Sequence, residues 1–304
     1  MNYQEHRYSS HDGLSLYYRE YGSGPDTVIC LHGLTRNCKD FEHLAAHLAA
    51  RYRVITPDIR GRGQSDRDPR WKQYLPPTYV RDIWTLMDSQ GIEDAAFVGT
   101  SLGGLMAMIM AEQQPTRLRG VVLNDIGPHV PALAIARLLE YVGRTPSQPD
   151  WAGAAATTRK NYEVAYPGAD SAFWDRQARI AWREQPDGTV IPDYDPRIGD
   201  AARHFAKSAW LIRLMQRCGV RRVKGINLDP WENFRCLIMP VLVIRGEISD
   251  ILTADTLAAM KEAKPDLQVA EVPGRGHAPI LDEPAPRAAI DDFLARVMNP
   301  GADA

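Results

Sequence analysis

The run Ala95-Ala96-Phe97-Val98-Gly99-Thr100-Ser101-Leu102-Gly103-Gly104-Leu105-Met106 holds a strand, a sharp corner and the start of a helix. Ala95–Gly99 is apolar and too short for a helix, so it reads as a buried strand, whereas Leu105–Ala111 is rich in good helix formers. Ser101 therefore sits where strand turns into helix, in the pattern Gly99-x-Ser101-x-Gly103. Glycine on either side lets the two elements approach closely and lets Ser101 take a strained backbone. The corner places the hydroxyl at a helix N-terminus, with the amide of Leu102 aimed at whatever binds there.

The same strand-then-helix rhythm runs outward from this corner. Upstream, Tyr3–Ser9 and Leu14–Tyr21 read as a hairpin around His11-Asp12-Gly13, the second strand alternating like an edge strand with one wet face. Thr27–Leu31 and Arg53–Asp58 are buried strands, separated by a helix with Phe41, Leu44, Ala45 and Leu48 on one face. A helix over 78–90 precedes the Ser101 strand. Downstream, Gly120–Asp125, Pro240–Gly246 and Leu267–Val272 are further strands, the last two followed by helices over 253–264 and 284–298, and Asn299–Ala304 is expected to be a tail. Alternation of this kind predicts a doubly covered, mostly parallel α/β sheet of eight strands.

The rhythm breaks between Pro128 and Arg235. Helical patches at 132–142, 152–162 and 201–217 are joined there by Pro- and Gly-containing links. Five of the seven tryptophans fall in this region, Trp151, Trp174, Trp182, Trp210 and Trp231, along with Tyr141, Tyr162, Tyr166 and Phe173. The expected organisation is a core of 1–127 and 236–304 with a helical lid of 128–235 over the sheet's C-terminal edge, where ligands bind in open α/β folds.

Composition excludes several classes. The formal net charge is −2, with arginines interleaved among acids, so nothing steers the 304-residue chain toward nucleic acid or an anionic membrane. No apolar run reaches the length of a membrane span, and the N-terminus lacks a signal-peptide pattern. Cys30, Cys38, Cys218 and Cys236 show no paired spacing, which suits reduced thiols in a cytoplasmic protein, without a metal site.

Candidate reactive residues follow parallel strands at one edge of the sheet. A serine hydroxyl needs a base to take its proton, and the base needs an anion to fix its tautomer. Ser101 is the expected nucleophile and His277, between glycine and proline after the last strand, the expected base. Asp250 is the expected acid, in the order Ser, Asp, His, with Asp125 its main competitor and Glu247 a weaker one. The tetrahedral oxyanion is assigned to the backbone amides of Leu34 and Leu102, with Gly33 making the first loop fit. His32 follows an earlier strand and is expected to brace its loop.

With these residues in place the chain resembles the α/β-hydrolase superfamily, in its single-lid branch of esterases, lactonases and C–C bond hydrolases. The matching residues are His32-Gly33, Pro57-Asp58-x-Arg60-Gly61-x-Gly63-x-Ser65, Gly99-x-Ser101-x-Gly103-Gly104, Asp250 and Gly276-His277. The resemblance implies that Asp58, Arg60, Gly61 and Ser65 are structural, and Ser101 argues against members with an aspartate nucleophile. One departure is a Gly246-to-Asp250 spacing one residue longer than the commoner pattern.

The expected activity is cleavage of a small to medium carboxylic ester through an acyl-enzyme, with neither metal nor organic cofactor. A lactonase or a C–C hydrolase of ring-cleavage products is the alternative within this chemistry, the latter needing a basic residue such as Arg36 to face a substrate carboxylate. A ligand-binding receptor on the same fold is the alternative of another class. The expected partner is a small-molecule ester, with self-association into a homodimer left open.

Overall fold

A computed structural model describes residues 2–218, 220, 222–223, 226–227 and 229–299. Of the tail expected at 299–304, all but Asn299 lies outside them, as does the side chain of Trp210. Strands β1 (Gln4–Ser9), β2 (Ser15–Tyr21), β3 (Thr27–Leu31), β4 (Arg53–Pro57), β5 (Ala95–Thr100) and β6 (Leu118–Asn124) form the first part of the sheet. Strands β7 (Trp182–Glu184) to β10 lie in an insertion, and β11 (Val241–Gly246) and β12 (Gln268–Val272) complete the sheet. Its eight strands run in the order β1-β2-β4-β3-β5-β6-β11-β12. Within it the β1–β2 and β2–β4 pairs are antiparallel, and β4, β3, β5, β6, β11 and β12 pair in parallel.

Alternation along the strands feeds two cores. Ile29, Leu31, Phe97, Val121 and Leu123 face one side, where helices α2 (Pro76–Ser89), α3 (Leu102–Gln113) and α9 (Ala254–Ala263) cover them. Val28, Cys30, Ala96, Val98 and Val122 face the other, under α1 (Glu42–Leu48) and α10 (Pro284–Met298). A strand buried on both faces loses its polar alternation and reads as a continuous apolar run, which is why β3, β5 and β6 were plain in sequence. Helix α9 is capped as its sequence suggests, Thr253 accepting from the amide of Thr256.

One strand differs from expectation. Leu14–Tyr21 contains the second strand of the sheet, not its edge: β1 flanks it, and Leu16, Tyr17, Tyr18 and Arg19 are all buried.

Between β6 and β11 the chain leaves the sheet. It forms α4 (Ala132–Tyr141), α5 (Trp151–Tyr162), α6 (Ser171–Ala181), a hairpin of β7 and β8 (Val190–Pro192), α7 (Arg197–Arg217), a second small hairpin of β9 (Arg222–Val223) and β10 (Ile226–Asn227), and α8 (Pro230–Arg235). Helix α6 lies outside the helical patches expected from sequence, although Trp174, Ala178 and Ala181 repeat at helical spacing, whereas the hairpin strands, of two or three residues, are too short to show a period. Helix α8 packs on α3, and its Phe234 joins the larger core, so this last part of the insertion lies against the sheet domain. No helix among the described residues is long and apolar enough to cross a membrane.

Candidate active site

Ser101 sits at the β5–α3 corner with φ 52° and ψ −111°, a conformation costing on the order of 1–3 kcal/mol that only a packed surround maintains. The two glycines make that surround possible. A Cβ on Gly99 would stand 2.5 Å from the Gly103 carbonyl carbon, and one on Gly103 would stand 2.0 Å from the Leu31 carbonyl oxygen.

His277, beyond β12, places Nε2 3.0 Å from the Ser101 hydroxyl oxygen. Its Nδ1 lies 2.8 Å from a carboxylate oxygen, and that carboxylate belongs to Asp125. Nδ1 facing an anion must carry the proton, so Nε2 is left to accept from the serine hydroxyl. Asp125 follows β6 in a left-handed turn with φ 55° and is fully buried. Its other contacts come from the β11 loop: the Gly246 amide donates to one carboxylate oxygen at 2.9 Å and the Ser249 hydroxyl to the other at 2.6 Å.

This corrects the assignment of the acid. Asp250 does not approach His277; its carboxylate is about half exposed and is held by Arg137 of α4 at 2.6 and 2.8 Å. The β11 loop turns tightly through Ser249, whose hydroxyl also accepts from the amides of Ile251 and Leu252. That turn sends Ser249 inward to Asp125 and Asp250 outward to the solvent. The longer Gly246-to-Asp250 spacing was the visible sign. Glu247 is also directed away, accepting from the Gly274 amide.

The loop after β3 lies beside Ser101. The Leu34 amide makes no hydrogen bond among the described residues, and Leu102 is the first residue of α3, whose amide has no intrahelical acceptor. His32 braces this loop from below: Nδ1 donates to the Gly33 carbonyl at 2.8 Å, and Nε2 accepts from the Ile59 amide at 3.1 Å. Burial, with Arg62 nearby, pushes the His32 pKa down to about 3, so the ring is neutral, as that pair of bonds requires. Arg62 secures the next residue by donating to the Leu34 carbonyl. Gly33 is less constrained than expected. A Cβ there would meet Arg36 Cγ at 3.5 Å and Ser101 Cβ at 3.9 Å, both ordinary contacts.

The Asp58–Ser65 segment is structural, as the resemblance implied. Asp58 accepts from the amides of Cys38 and Gln64, with burial pushing its pKa up to about 6. Arg60 is fully buried among Asp12, Asp68 and Asp82. His11, Asp12 and Asp82 stand close enough to resemble a metal site, but Arg60 already bonds both carboxylates and supplies the cation there.

A cavity of about 330 Å³ opens over Ser101 and His277 between the sheet edge and the insertion. Its aromatic wall is Tyr141, Tyr162, Tyr166, Phe173 and Trp174. Of the tryptophans singled out in sequence whose side chains are described, only Trp174 lines it. Trp151 stacks under Arg179, Trp182 fills the insertion's own small core and Trp231 packs on Phe234. Tyr141, Tyr162, Tyr166 and Phe173, singled out in sequence beside the tryptophans, supply the rest of the wall.

Fold and site together define a hydrolase of the α/β class. The family model described as alpha/beta hydrolase fold matches residues 26–284, and the chain belongs to that family. Among individual relatives, it is 31% identical over 292 residues to the 3-hydroxybutyrate-oligomer hydrolase of Cupriavidus necator, covering 91% of this chain and 92% of that protein. It is 28% identical to the 2-(acetamidomethylene)succinate hydrolase of Mesorhizobium japonicum over 92% of each chain. A crystal structure of an α/β hydrolase from Novosphingobium aromaticivorans superposes with a TM-score of 0.84 at 36% identity, covering 97% of this chain and 98% of that one.

Proposed function

We propose that the protein is a serine hydrolase of carboxylic esters that works through an acyl-enzyme, with Ser101 as nucleophile, His277 as general base and acid, and Asp125 as the orienting anion. The observation that carries this reading is the unbroken chain from the Ser101 hydroxyl to His277 at 3.0 Å and on to Asp125 at 2.8 Å. Ser101 Oγ attacks the ester carbonyl carbon while its proton passes to His277 Nε2. Asp125 stabilises the resulting imidazolium through Nδ1–H. The carbonyl electron pair moves onto oxygen, where the amides of Leu34 and Leu102 receive it. Collapse breaks the bond to the alcohol oxygen, which takes the proton from Nε2. A water molecule then gives a proton to His277 and attacks the acyl carbon, and Ser101 recovers its proton as the acid leaves.

The relatives' names support hydrolysis of this kind. The Cupriavidus protein is named for 3-hydroxybutyrate oligomers, which are chains of esters. The cavity volume of about 330 Å³ suits a substrate of modest size. Turnover of p-nitrophenyl butyrate by the wild type, abolished in Ser101→Ala, is the expected result. Equal turnover by both proteins would overturn the proposal.

A further inference from the structure

Arg36 stands next to the reacting centre in an unusual state. It lines the cavity, and its Cγ faces Ser101 Cβ across Gly33. Nε and Nη2 are fixed by Asp40 at 2.9, 3.0 and 2.7 Å, and Nη2 also donates to Gln177 of α6 at 3.0 Å. These contacts use Nε and both N–H groups of Nη2 and lock the plane's orientation, which leaves Nη1 open and preorganised. Nη1, with two N–H donors, has no partner among the described residues, yet it is not among the polar atoms shut off from solvent. Trp174, on the same cavity, is buried with its indole N–H also unpartnered.

The other cations of the lining are less suited to this role. Lys39 is paired with Asp193 and Arg275 with Glu283. Arg176 also lines the cavity without an ion pair among the described residues, but it is solvent-exposed and no hydrogen bond among them fixes its guanidinium. Tyr166 already spends its hydroxyl proton on the Ala278 carbonyl. A cationic N–H donor left open beside the reacting centre is matched to an anionic acceptor, and a substrate carboxylate takes a single charge-assisted hydrogen bond from it.

We infer that Arg36 Nη1 anchors a free carboxylate of the substrate, so that the enzyme prefers esters carrying an acid group a short chain away from the scissile carbonyl. The inference rests on the ester-hydrolase reading above and narrows its substrate class to acidic esters, such as the linear dimer of a hydroxyacid. Asp40 keeps the site neutral when empty; the incoming carboxylate shares the guanidinium through Nη1. Arg36 is then a specificity residue and takes no part in bond breaking.

The test compares the linear 3-hydroxybutyrate dimer as free acid with its methyl ester, which is uncharged, and follows in initial rates only cleavage of the internal ester that both share. Wild type is expected to show the higher kcat/KM on the acid. Arg36→Gln is expected to reduce the acid-to-methyl-ester ratio about tenfold or more, chiefly through KM, with Arg36→Lys falling between. Using the ratio cancels any loss common to both substrates from movement of the 33–36 loop. An unchanged ratio in Arg36→Gln, or a wild type that prefers the methyl ester, overturns the inference. Methyl-ester turnover that survives Ser101→Ala would instead sink the hydrolase reading, whatever the ratio. If Arg36→Gln does not fold, wild type alone decides. Glutarate must then inhibit p-nitrophenyl butyrate hydrolysis more strongly than dimethyl glutarate does, and equal inhibition overturns the inference.

Discussion

Replacing Asp125 with asparagine tests the correction to the acid at a single atom. The carboxylate accepts three hydrogen bonds, from Gly246 N–H, Ser249 O–H and His277 Nδ1–H. Asparagine has one oxygen and one NH₂ in the same space. If its oxygen keeps the Gly246 amide, the NH₂ faces Nδ1 and drives the proton to Nε2, which then has no lone pair for Ser101. The alternative flip opposes NH₂ to the Gly246 N–H and leaves a buried clash. Either way the base is disabled, and the comparable change in a Ser-His-Asp protease lowers kcat by about 10⁴. That corresponds to about 5 kcal/mol of transition-state stabilisation. Asp250→Asn removes only an exposed pair with Arg137, an interaction of about 0–1 kcal/mol. Steady-state hydrolysis of p-nitrophenyl butyrate should therefore fall by about 10³–10⁴ in Asp125→Asn and by less than about threefold in Asp250→Asn, with thermal melts confirming that both fold. The reverse ranking would refute the reasoning.

Two further predictions concern the scaffold under the site. His32 is held neutral with its pKa near about 3, so the unfolded chain binds the extra proton and stability falls as pH drops below the ordinary histidine value of about 6.5. Relative to its own value at neutral pH, wild type should lose about 2–3 kcal/mol more by roughly pH 4.5 than His32→Gln does, read from urea melts. Asp58, raised to about 6, works in the opposite direction, its contribution being full below about 3.8 and lost as pH rises, but it is common to both proteins and cancels. Arg60→Met leaves Asp12, Asp68 and Asp82 without their shared cation and should cost at least about 3–5 kcal/mol in the same assay.

The parts of this molecule that were legible in sequence are those where one physical constraint acts alone. Buried parallel strands cannot hide their apolar runs, and the Gly99–Gly103 corner announces the crowding that the structure shows around Leu31. Ser101 stands out because it follows such a strand, and His277 because it follows the last strand of the alternation, although that strand is the sheet's partly exposed edge. The carboxylate was harder, because two loops at the same sheet edge each offer an aspartate. The choice between them depends on which way a turn rotates its side chains: Ser249 goes in and Asp250 goes out. The insertion was legible as helical but not in detail. Its hairpins are short, and although its aromatics stand out in sequence, nothing there separates the wall residues Tyr141, Tyr162, Tyr166, Phe173 and Trp174 from Trp151, Trp182 and Trp231, which pack elsewhere. The open Nη1 of Arg36 is a three-dimensional fact, set by Asp40 and by Gln177, whose helix lies far from Arg36 in sequence.

Trapping the acyl-enzyme tests the central claim most directly. Wild type quenched during p-nitrophenyl butyrate turnover should show, by intact mass and peptide mapping, one butyryl group on the peptide containing Ser101, and Asp125→Asn should accumulate it far more slowly. An acyl group found on another residue, or hydrolysis proceeding with Ser101 never modified, would contradict the account.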